Sequence, residues 1–275
     1  MIKKCIKKFF KKKNKVAVIR LAGVIGQDSA MKSGLSLENI DQAIEKAFAT
    51  KDIKAVALAI NSPGGSPVQS ELIYRKIRSL SLEKKLTVYS FVEDCAASGG
   101  YWLALAGDEI YVSSSSIVGS IGVISAGFGF VEAIKKIGIE RRIYTQGKNK
   151  SILDPFSKEK SEDIAIISRV QAAIHNIFKD IVRERRQGKI NNEQEDSLFN
   201  GEFWCGAEAK DLGLVDGIDN LYDFMRHKYG KDVEFVKTNK PSGWLKRKLG
   251  VSALGIDEKI IAILDERMLK SRIGL

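Results

Sequence analysis

The residues best suited to chemistry lie in one short stretch, residues 94–102, with the sequence Asp-Cys-Ala-Ala-Ser-Gly-Gly-Tyr-Trp. It places Ser98 between an apolar, strand-like run and the start of a predicted helix. A helix N-terminus offers free backbone N–H groups and a partial positive charge, and small neighbours leave a hydroxyl open to a substrate. The stretch therefore allows a serine nucleophile. Taken alone, an ordinary helix N-cap beside closely packed glycines is the simpler interpretation of Ser98.

A second glycine-rich loop, Asn61-Ser-Pro-Gly-Gly65, follows another strand-like run. Acyl transfer needs a nucleophile and two N–H donors aimed at the developing oxyanion, and glycine lets the backbone approach without a side chain in the way. The N–H of Gly99 is a natural first donor, and the N–H of Gly65 could supply the second. Taken alone, this loop is more simply explained as a turn selected for its geometry.

A serine nucleophile needs a base, and the two histidines are poor candidates. His175 lies within a long helical pattern, about 157–187, where a packed or partly exposed helix face is the simpler interpretation. His227 lies near the end of the chain in no recognisable catalytic context. Lysine remains, and Lys148 and Lys150 lie in an apolar-flanked loop after a predicted strand, although composition alone cannot choose among 45 basic residues.

Three successive units of strand, glycine loop and helix must position these loops. The strand-like runs span 16–24, 55–60 and 86–92. The first precedes a helix that begins near Ser36, and the second precedes Ser66-Pro67, a helix cap with proline at the first helical position. Such units indicate βαβ crossovers on a mainly parallel sheet, whose ligand sites lie at the carboxyl ends of its strands. The loops 61–65 and 97–100 occupy that position, so we expect them to meet in one crevice.

Composition limits the function classes. A chain of 275 residues with 44% hydrophobic residues can bury an ample core. The cysteines number three, are widely separated and lack CxxC spacing, so neither a disulfide framework nor a zinc site is predicted. The net charge of +11 comes with no nucleic-acid-binding motif. We therefore expect no metal, no cofactor and no nucleic-acid partner, and reduced thiols favour a cytoplasmic location.

The two ends of the chain are basic. Residues 1–14 repeat apolar side chains at helical spacing between lysines, which is typical of an amphipathic helix on an anionic membrane surface; a solvated basic tail fits equally well. No apolar run reaches a signal-peptide core or the ~18 residues of a membrane span, so neither is predicted. Residues 239–275 include a helical pattern over 256–272, which suits an oligomerisation helix or a second membrane-facing element.

Five motifs, in order along the chain, carry a family resemblance: Leu58-Ala-Ile-Asn-Ser-Pro-Gly-Gly65, Ala97-Ser-Gly-Gly-Tyr101, Ile117-Val-Gly-Ser-Ile-Gly-Val123, Gly147-Lys-Asn-Lys-Ser151 and Gly213-Leu-Val-Asp216. Over about 16–238 the chain resembles the signal peptide peptidase A family of serine proteases, peptidase family S49. The resemblance implies an α/β fold of the Clp protease/crotonase type, with repeated ββα/βαβ units, a mainly parallel sheet and a long packing helix. The expected parts are residues 1–14, a peptidase domain over 15–238, and residues 239–275.

The same resemblance implies roles for individual residues. Ser98 matches the nucleophile and Lys150, 52 residues later, the general base of a Ser–Lys dyad in the short, single-domain branch. Lys148 is the competing base. Ser120 matches the hydroxyl that orients the lysine, while the oxyanion-hole donors match Gly65 and Gly99, in agreement with the interpretation of the two glycine loops above.

A lysine base has a physical requirement. An exposed lysine has a pKa near ~10.4 and holds its proton at neutral pH. Burial disfavours the charged form, and a lysine tuned toward about 7–8 becomes an effective base. Ile152, Leu153 and Phe156 are the neighbouring residues that could provide apolar surroundings for Lys150.

The implied activity is that of a serine endopeptidase that cleaves hydrophobic peptides, such as remnant signal peptides or membrane-protein segments, through an acyl-enzyme. Family members form rings or domes in which the serine and the lysine can come from neighbouring protomers. Many carry a transmembrane anchor, whereas this chain begins with lysine-rich residues 1–14, so a cytoplasmic peptidase on the inner membrane face is equally compatible. We expect the peptide to bind extended along a strand edge.

Two other classes of function stay open. A crotonase-like enzyme would use the paired N–H groups to hold a coenzyme A thioester enolate, without a serine nucleophile. A catalytically silent scaffold would keep the fold for assembly or membrane binding. The remaining motifs suggest structural roles: the helix over 157–187 is apolar on more than half its surface, which favours packing on both the sheet and another subunit. The acids of residues 201–216 are expected to be ordinary surface or capping carboxylates, namely Glu202, Glu208, Asp211 and Asp216.

Overall fold

A computed structural model describes residues 13–26 and 34–239. The predictions for the N-terminal basic segment and the C-terminal extension fall on residues 1–12 and 240–275, outside the described residues. The strands are β1 (Lys15–Ala22), β2 (Ile53–Ser62), β3 (Val88–Ala97), β4 (Glu109–Val112), β5 (Ile117–Gly119), β6 (Phe203–Cys205), β7 (Gly217–Ile218) and β8 (Glu234–Lys237). The helices are α1 (Leu37–Ala49), α2 (Pro67–Lys84), α3 (Gly99–Ala104), α4 (Val131–Lys136), α5 (Ser161–Arg185), α6 (Glu195–Leu198), α7 (Gly206–Asp211) and α8 (Leu221–Tyr229).

The strands form one sheet of mainly parallel pairs. Its order is β6-β5-β3-β2-β1-β8, with β4 pairing β3 and β7 pairing β4, and among these pairs only β5–β6 is antiparallel. The first part of β3 pairs with β4, and its last residues, Cys95–Ala97, pair with β5. Because β2 and β3 are parallel neighbours, Ser62 and Ala96 lie in register and the two glycine loops leave the same edge of the sheet. The predicted α/β fold is confirmed.

Helices cover both faces of the sheet. The larger core lies where α1, α2, α3 and the end of α5 pack on one face, with Ile19, Leu58 and Leu103 fully buried. A smaller core lies under α8 on the other face, where the rings of Tyr111 and Phe224 approach to 4.2 Å between centroids. The sheet and its two layers hold the strand ends rigidly, which is what a catalytic site requires.

Local sequence explains where the first helices begin. Ser36 caps α1 by accepting the N–H of Asn39, and Ser66 caps α2 by accepting the N–H of Gln69, with Pro67 at the first helical position. Both predicted starts are confirmed. Helix α2 runs to Lys84, where the left-handed conformation of Lys85 stops it.

One long excursion, residues 122–160, lies outside the two cores; we call it the arm. Within the described chain it contains only the short helix α4, and none of its residues is buried. The prediction that the two candidate lysines follow a strand is therefore wrong, because the arm has no sheet neighbour to pair with. Its exposed large apolar side chains are Ile124, Phe128, Phe130, Ile137, Ile139, Ile143, Tyr144 and Leu153.

The long helix α5 is packed along only part of its length. Phe178 and Val182 are buried against the domain, whereas Ile164, Val170 and Ile177 are exposed. The half that follows the arm therefore presents apolar side chains outward. For the part of the chain that the structure covers, no helix has the length and apolar composition that crossing a bilayer requires.

Candidate active site

Ser98 stands directly between β3 and α3 in a strained conformation. Its φ of 51° and ψ of −122° lie in a region that non-glycine residues rarely adopt, at a cost of about 1–3 kcal/mol. Its N–H donates to Gly119 O at 2.8 Å, and its carbonyl accepts the N–H groups of Tyr101 and Trp102. The side chain makes no capping hydrogen bond to α3. The N-cap interpretation therefore fails, and the strain instead presents the hydroxyl, which has no partner among the described residues.

The two glycine loops meet as expected. A Cβ added to Gly64, whose φ is 106°, would lie 2.9 Å from both Gly99 N and Ser98 Cβ, and one added to Gly100 would lie 2.3 Å from Ser62 O. Only glycine allows this approach of backbone to backbone. Ser62 holds the first loop, since its hydroxyl donates to Gly23 O at 2.7 Å and accepts the N–H of Gly64.

Two backbone donors lie close to Ser98, because Gly99 follows it in the chain and Gly65 lines the same cavity. Gly65 is fixed from both sides by Ile25, which donates its N–H to Gly64 O at 2.8 Å and accepts the N–H of Ser66 at 2.9 Å. Gly99 is the first residue of α3, where N–H groups have no intrahelical acceptor. Within residues 13–26 and 34–239, neither the Gly65 nor the Gly99 N–H has a hydrogen-bond acceptor. Paired free donors beside a hydroxyl can stabilise an oxyanion.

A cavity of about 880 Å³ joins these groups. Ser98, Ser120 and Gly65 are among the residues that line it. Ser120 follows β5 with a φ of 53°, and its N–H donates to the Glu202 carbonyl. The lining also includes the apolar side chains of Val123, Ile124, Phe199 and Phe203, together with His175 and Asn200.

The predicted base lies elsewhere. Lys150 is exposed on the arm, in a turn closed by its N–H to Gly147 O at 3.1 Å, and no lysine of the described residues lines the cavity. Lys148 is exposed in the same turn. Phe156, expected beside Lys150, packs on Phe130 at 5.6 Å between ring centroids and under the Arg141 guanidinium at 5.1 Å. The chain therefore brings Ser98, Ser120, Gly65 and Gly99 together without Lys150.

His175, which was set aside as a base, lies in this cavity. It is half-buried on α5, as the helix-face interpretation predicts, and its Nε2 lies 3.1 Å from Ile121 O. Because a carbonyl only accepts, Nε2 is the protonated nitrogen. Sequence spacing could not find this contact, since 54 residues separate the pair and only tertiary packing brings them together.

A buried brace supports the helix that follows Ser98. Tyr101 donates its hydroxyl to Leu214 O at 2.7 Å, and burial raises the pKa of Tyr101. Trp102 stacks on Phe178 at 4.8 Å. The motif Gly213-Leu-Val-Asp216 therefore acts by positioning α3.

Asp216 corrects the expectation for the acids of this region. Glu202, Glu208 and Asp211 are exposed as predicted, but the Asp216 side chain is only 16% exposed. It pairs with Arg186, 2% exposed, at 2.7 Å and with Lys189 at 2.6 Å, and it accepts the N–H of Ile110. Burial alone would raise its pKa, but the hydrogen bonds from Arg186 and Lys189 outweigh burial and lower it. Arg186 has no signal in the sequence beyond being one of 45 basic residues.

The described residues hold no group of three or more histidine, cysteine, aspartate or glutamate side chains arranged for a metal ion.

The family model for peptidase family S49 matches residues 81–233. A Brucella abortus protein named Na(+)/H(+) antiporter NhaA is 45% identical over 100% of this chain, and the chloroplastic serine protease SPPA of Arabidopsis thaliana is 29% identical over 92% of it. The chain spans 39% of the length of each of these two relatives. A solved structure of a 1510-N membrane-bound stomatin-specific protease S97A mutant superposes with a TM-score of 0.52 at 17% identity, covering 84% of this chain and all of that one, which supports the fold alone.

Proposed function

The chain belongs to peptidase family S49, a family of serine proteases, and from that premise we propose that it is a serine endopeptidase with Ser98 as its nucleophile. One observation carries the proposal. Ser98 has a strained backbone conformation, its hydroxyl has no partner among the described residues, and the N–H groups of Gly99, next in the chain, and Gly65, in the same cavity, have no acceptor there.

The reaction follows from these atoms. A base takes the Ser98 proton as Oγ attacks the scissile carbonyl carbon, and the oxyanion that forms accepts the Gly65 and Gly99 N–H groups. The amine leaves with the proton that the base returns, so that an acyl-enzyme remains. Water, deprotonated by the same base, then releases the acid. Each oxyanion donor is expected to contribute about 10²–10³ in kcat.

We assign the base to Lys150 of a neighbouring copy of the chain. No lysine among the described residues lines the cavity, whereas Lys150 stands exposed on an arm rich in exposed apolar side chains. A second copy seated against this arm would bury those side chains together with the lysine, and burial is what turns a lysine into a base. The hydroxyl of Ser120, which also lines the cavity, would then orient the incoming amine.

The subunit surface would continue along α5. Ile164, Val170 and Ile177 are exposed on the half of the helix that follows the arm. We propose that these side chains, together with those of the arm, are covered by a second copy of the chain. These features support a homo-oligomer, a ring or dome, whose active sites are shared between protomers.

The substrates proposed are apolar peptides such as remnant signal peptides or membrane-protein segments. The apolar side chains of Val123, Ile124, Phe199 and Phe203 in the cavity lining suit an apolar side chain. Along residues 122–129, no backbone group has a hydrogen-bond partner within the described chain, so the segment can pair with an extended peptide as an added strand.

A peripheral place on the inner face of the cytoplasmic membrane rests on the basic residues 1–14 alone. Sedimentation with anionic liposomes, with and without these residues, tests it, and equal binding of the two proteins would contradict it.

Cleavage of a leucine- and alanine-rich peptide tests the enzymatic proposal. Ser98→Ala and Lys150→Ala should each lose activity, by at least about 10²-fold for the base, while both keep the fold. Lys148→Ala is the matched control, because it removes the same charge two residues away. Full activity of Lys150→Ala would overturn the assignment of the base, and full activity of Ser98→Ala would overturn the function.

A further inference from the structure

His175 is the one ionisable side chain of the described residues that lines the Ser98 cavity, apart from the serine hydroxyls, and the reaction above leaves it without a role. It reaches the cavity from α5, whereas Ser98 and Ser120 stand at strand ends. Its Nε2–H donates to Ile121 O at 3.1 Å. The contact therefore links α5 to the backbone of Ile121, the residue that follows Ser120.

Ile121 marks the end of the fixed backbone beside Ser98. Its side chain is fully buried, and the N–H of Ser120 before it is held by the Glu202 carbonyl. After it, residues 122–129 make no backbone hydrogen bond to any described residue. The bond from His175 is thus the last one that sets the direction of the backbone before this unpaired segment begins.

We infer that His175 is a positioning residue for peptide substrates, which holds the Ile121 carbonyl so that the backbone of residues 122–125 presents a strand edge beside Ser98. The inference rests on the proposed function. Strand addition requires that alternate N–H and C=O groups already lie in one direction. Gly122, the first residue of the edge, has the greatest backbone freedom to lose.

The effect should appear as weaker peptide binding. Without the His175 hydrogen bond, the peptide must order at least one more backbone residue, which corresponds to about tenfold in the dissociation constant. A residue of similar length that can still donate an N–H should avoid the loss. His175→Gln keeps such a donor, whereas His175→Leu removes it and His175→Asn withdraws it from the carbonyl.

Binding is measured in the Ser98→Ala background, which cannot cleave, with a fluorescein-labelled nonapeptide of leucine and alanine. We expect His175→Leu and His175→Asn to bind about tenfold more weakly than Ser98→Ala alone, and His175→Gln within about threefold of it. His227→Leu, on the exposed face of α8, is the matched control and should bind unchanged. The same peptide with N-methylated backbone should bind weakly to every variant.

Parent-like binding by His175→Leu or His175→Asn would overturn the inference, and so would a His175→Gln variant as weak as His175→Leu. In the active enzyme the loss in His175→Leu should fall on KM for the peptide rather than on kcat; a loss confined to kcat would also overturn it. Failure of the proposed function has a different signature, since the unmodified chain would then leave the peptide intact, or Ser98→Ala would cleave it at the same rate as the unmodified chain.

Discussion

Replacing Asp216 by asparagine tests its buried ion pair with Arg186. Asp216 lies two residues after Leu214, the residue whose carbonyl accepts the Tyr101 hydroxyl of α3. The substitution keeps the volume of the side chain and removes its charge, leaving Arg186, 2% exposed, without its carboxylate at 2.7 Å. Removing one partner of a buried ion pair costs about 3–5 kcal/mol. Because a domain of this kind has a free energy of unfolding of about 5–15 kcal/mol, the loss is a large fraction of the total.

Urea denaturation at neutral pH measures this loss. With a slope of about 2 kcal/mol per molar urea, the midpoint of Asp216→Asn should fall by roughly 2 M. Asp211→Asn is the matched control, because Asp211 is exposed on the same stretch of chain; its free energy of unfolding should change by no more than about 0.5 kcal/mol.

The pH dependence of the free energy of unfolding gives a second test of the Asp216 ion pair. The pKa of Asp216 is lowered in the folded protein, so its contribution to stability is present above the pKa of the unfolded chain, about 3.9, and is lost as pH falls through the folded pKa. The difference in free energy of unfolding between the unmodified chain and Asp216→Asn should therefore shrink below about pH 4. Equal urea midpoints at neutral pH, or a difference that grows on acidification, would show that the ion pair of Asp216 with Arg186 does not stabilise the folded protein.

Further predictions concern the site itself. Mixing equal amounts of the inactive Ser98→Ala and Lys150→Ala variants and letting them reassemble should restore about one quarter of the wild-type cleavage rate. If neighbouring copies share each site and pair at random, about a quarter of the sites combine an intact serine with an intact lysine. No recovery would show that the dyad forms within one chain. Because glycine adopts a positive φ without strain, the free energy of unfolding of Ser98→Gly should exceed that of Ser98→Ala by about 1 kcal/mol. Equal free energies of unfolding would show that the backbone of Ser98 is not strained. Gly64→Ala should slow labelling of Ser98 by a fluorophosphonate at least about tenfold, because its Cβ would meet Ala97 O and Gly99 N at 2.9 Å, whereas Gly127→Ala, which has open space, should label normally.

Features that depend on neighbouring residues along the chain were predictable. The caps at Ser36 and Ser66, the three strand–loop–helix units and the convergence of the two glycine loops follow from local chemistry and from the geometry of parallel sheets. The resemblance supplied the family, which the S49 match confirms.

Features that depend on tertiary contacts were not predictable. The extension of β3 to Ala97 and the strained φ of Ser98 arise from pairing with β5 and contact with Gly64, neither of which a single strand pattern contains. The sequence suggests an ordinary surface or capping carboxylate at Asp216, whereas its buried pair with Arg186 joins residues 30 positions apart. The apolar residues of the arm indicate a strand and a loop in the sequence, because such residues are usually buried. In the structure, no described part of the same chain buries them.

The central claim is that Ser98 is a nucleophile, and the most direct test is the intact mass of the assembled protein after treatment with a fluorophosphonate, followed by peptide mapping. The account predicts one adduct per chain, located on Ser98 and absent from Ser98→Ala. An adduct on Ser98 would distinguish a peptidase from a coenzyme A thioester enzyme or a silent scaffold, because neither of these needs a reactive serine. A folded, assembled protein that carries no adduct, or that carries it on another residue, would contradict the account.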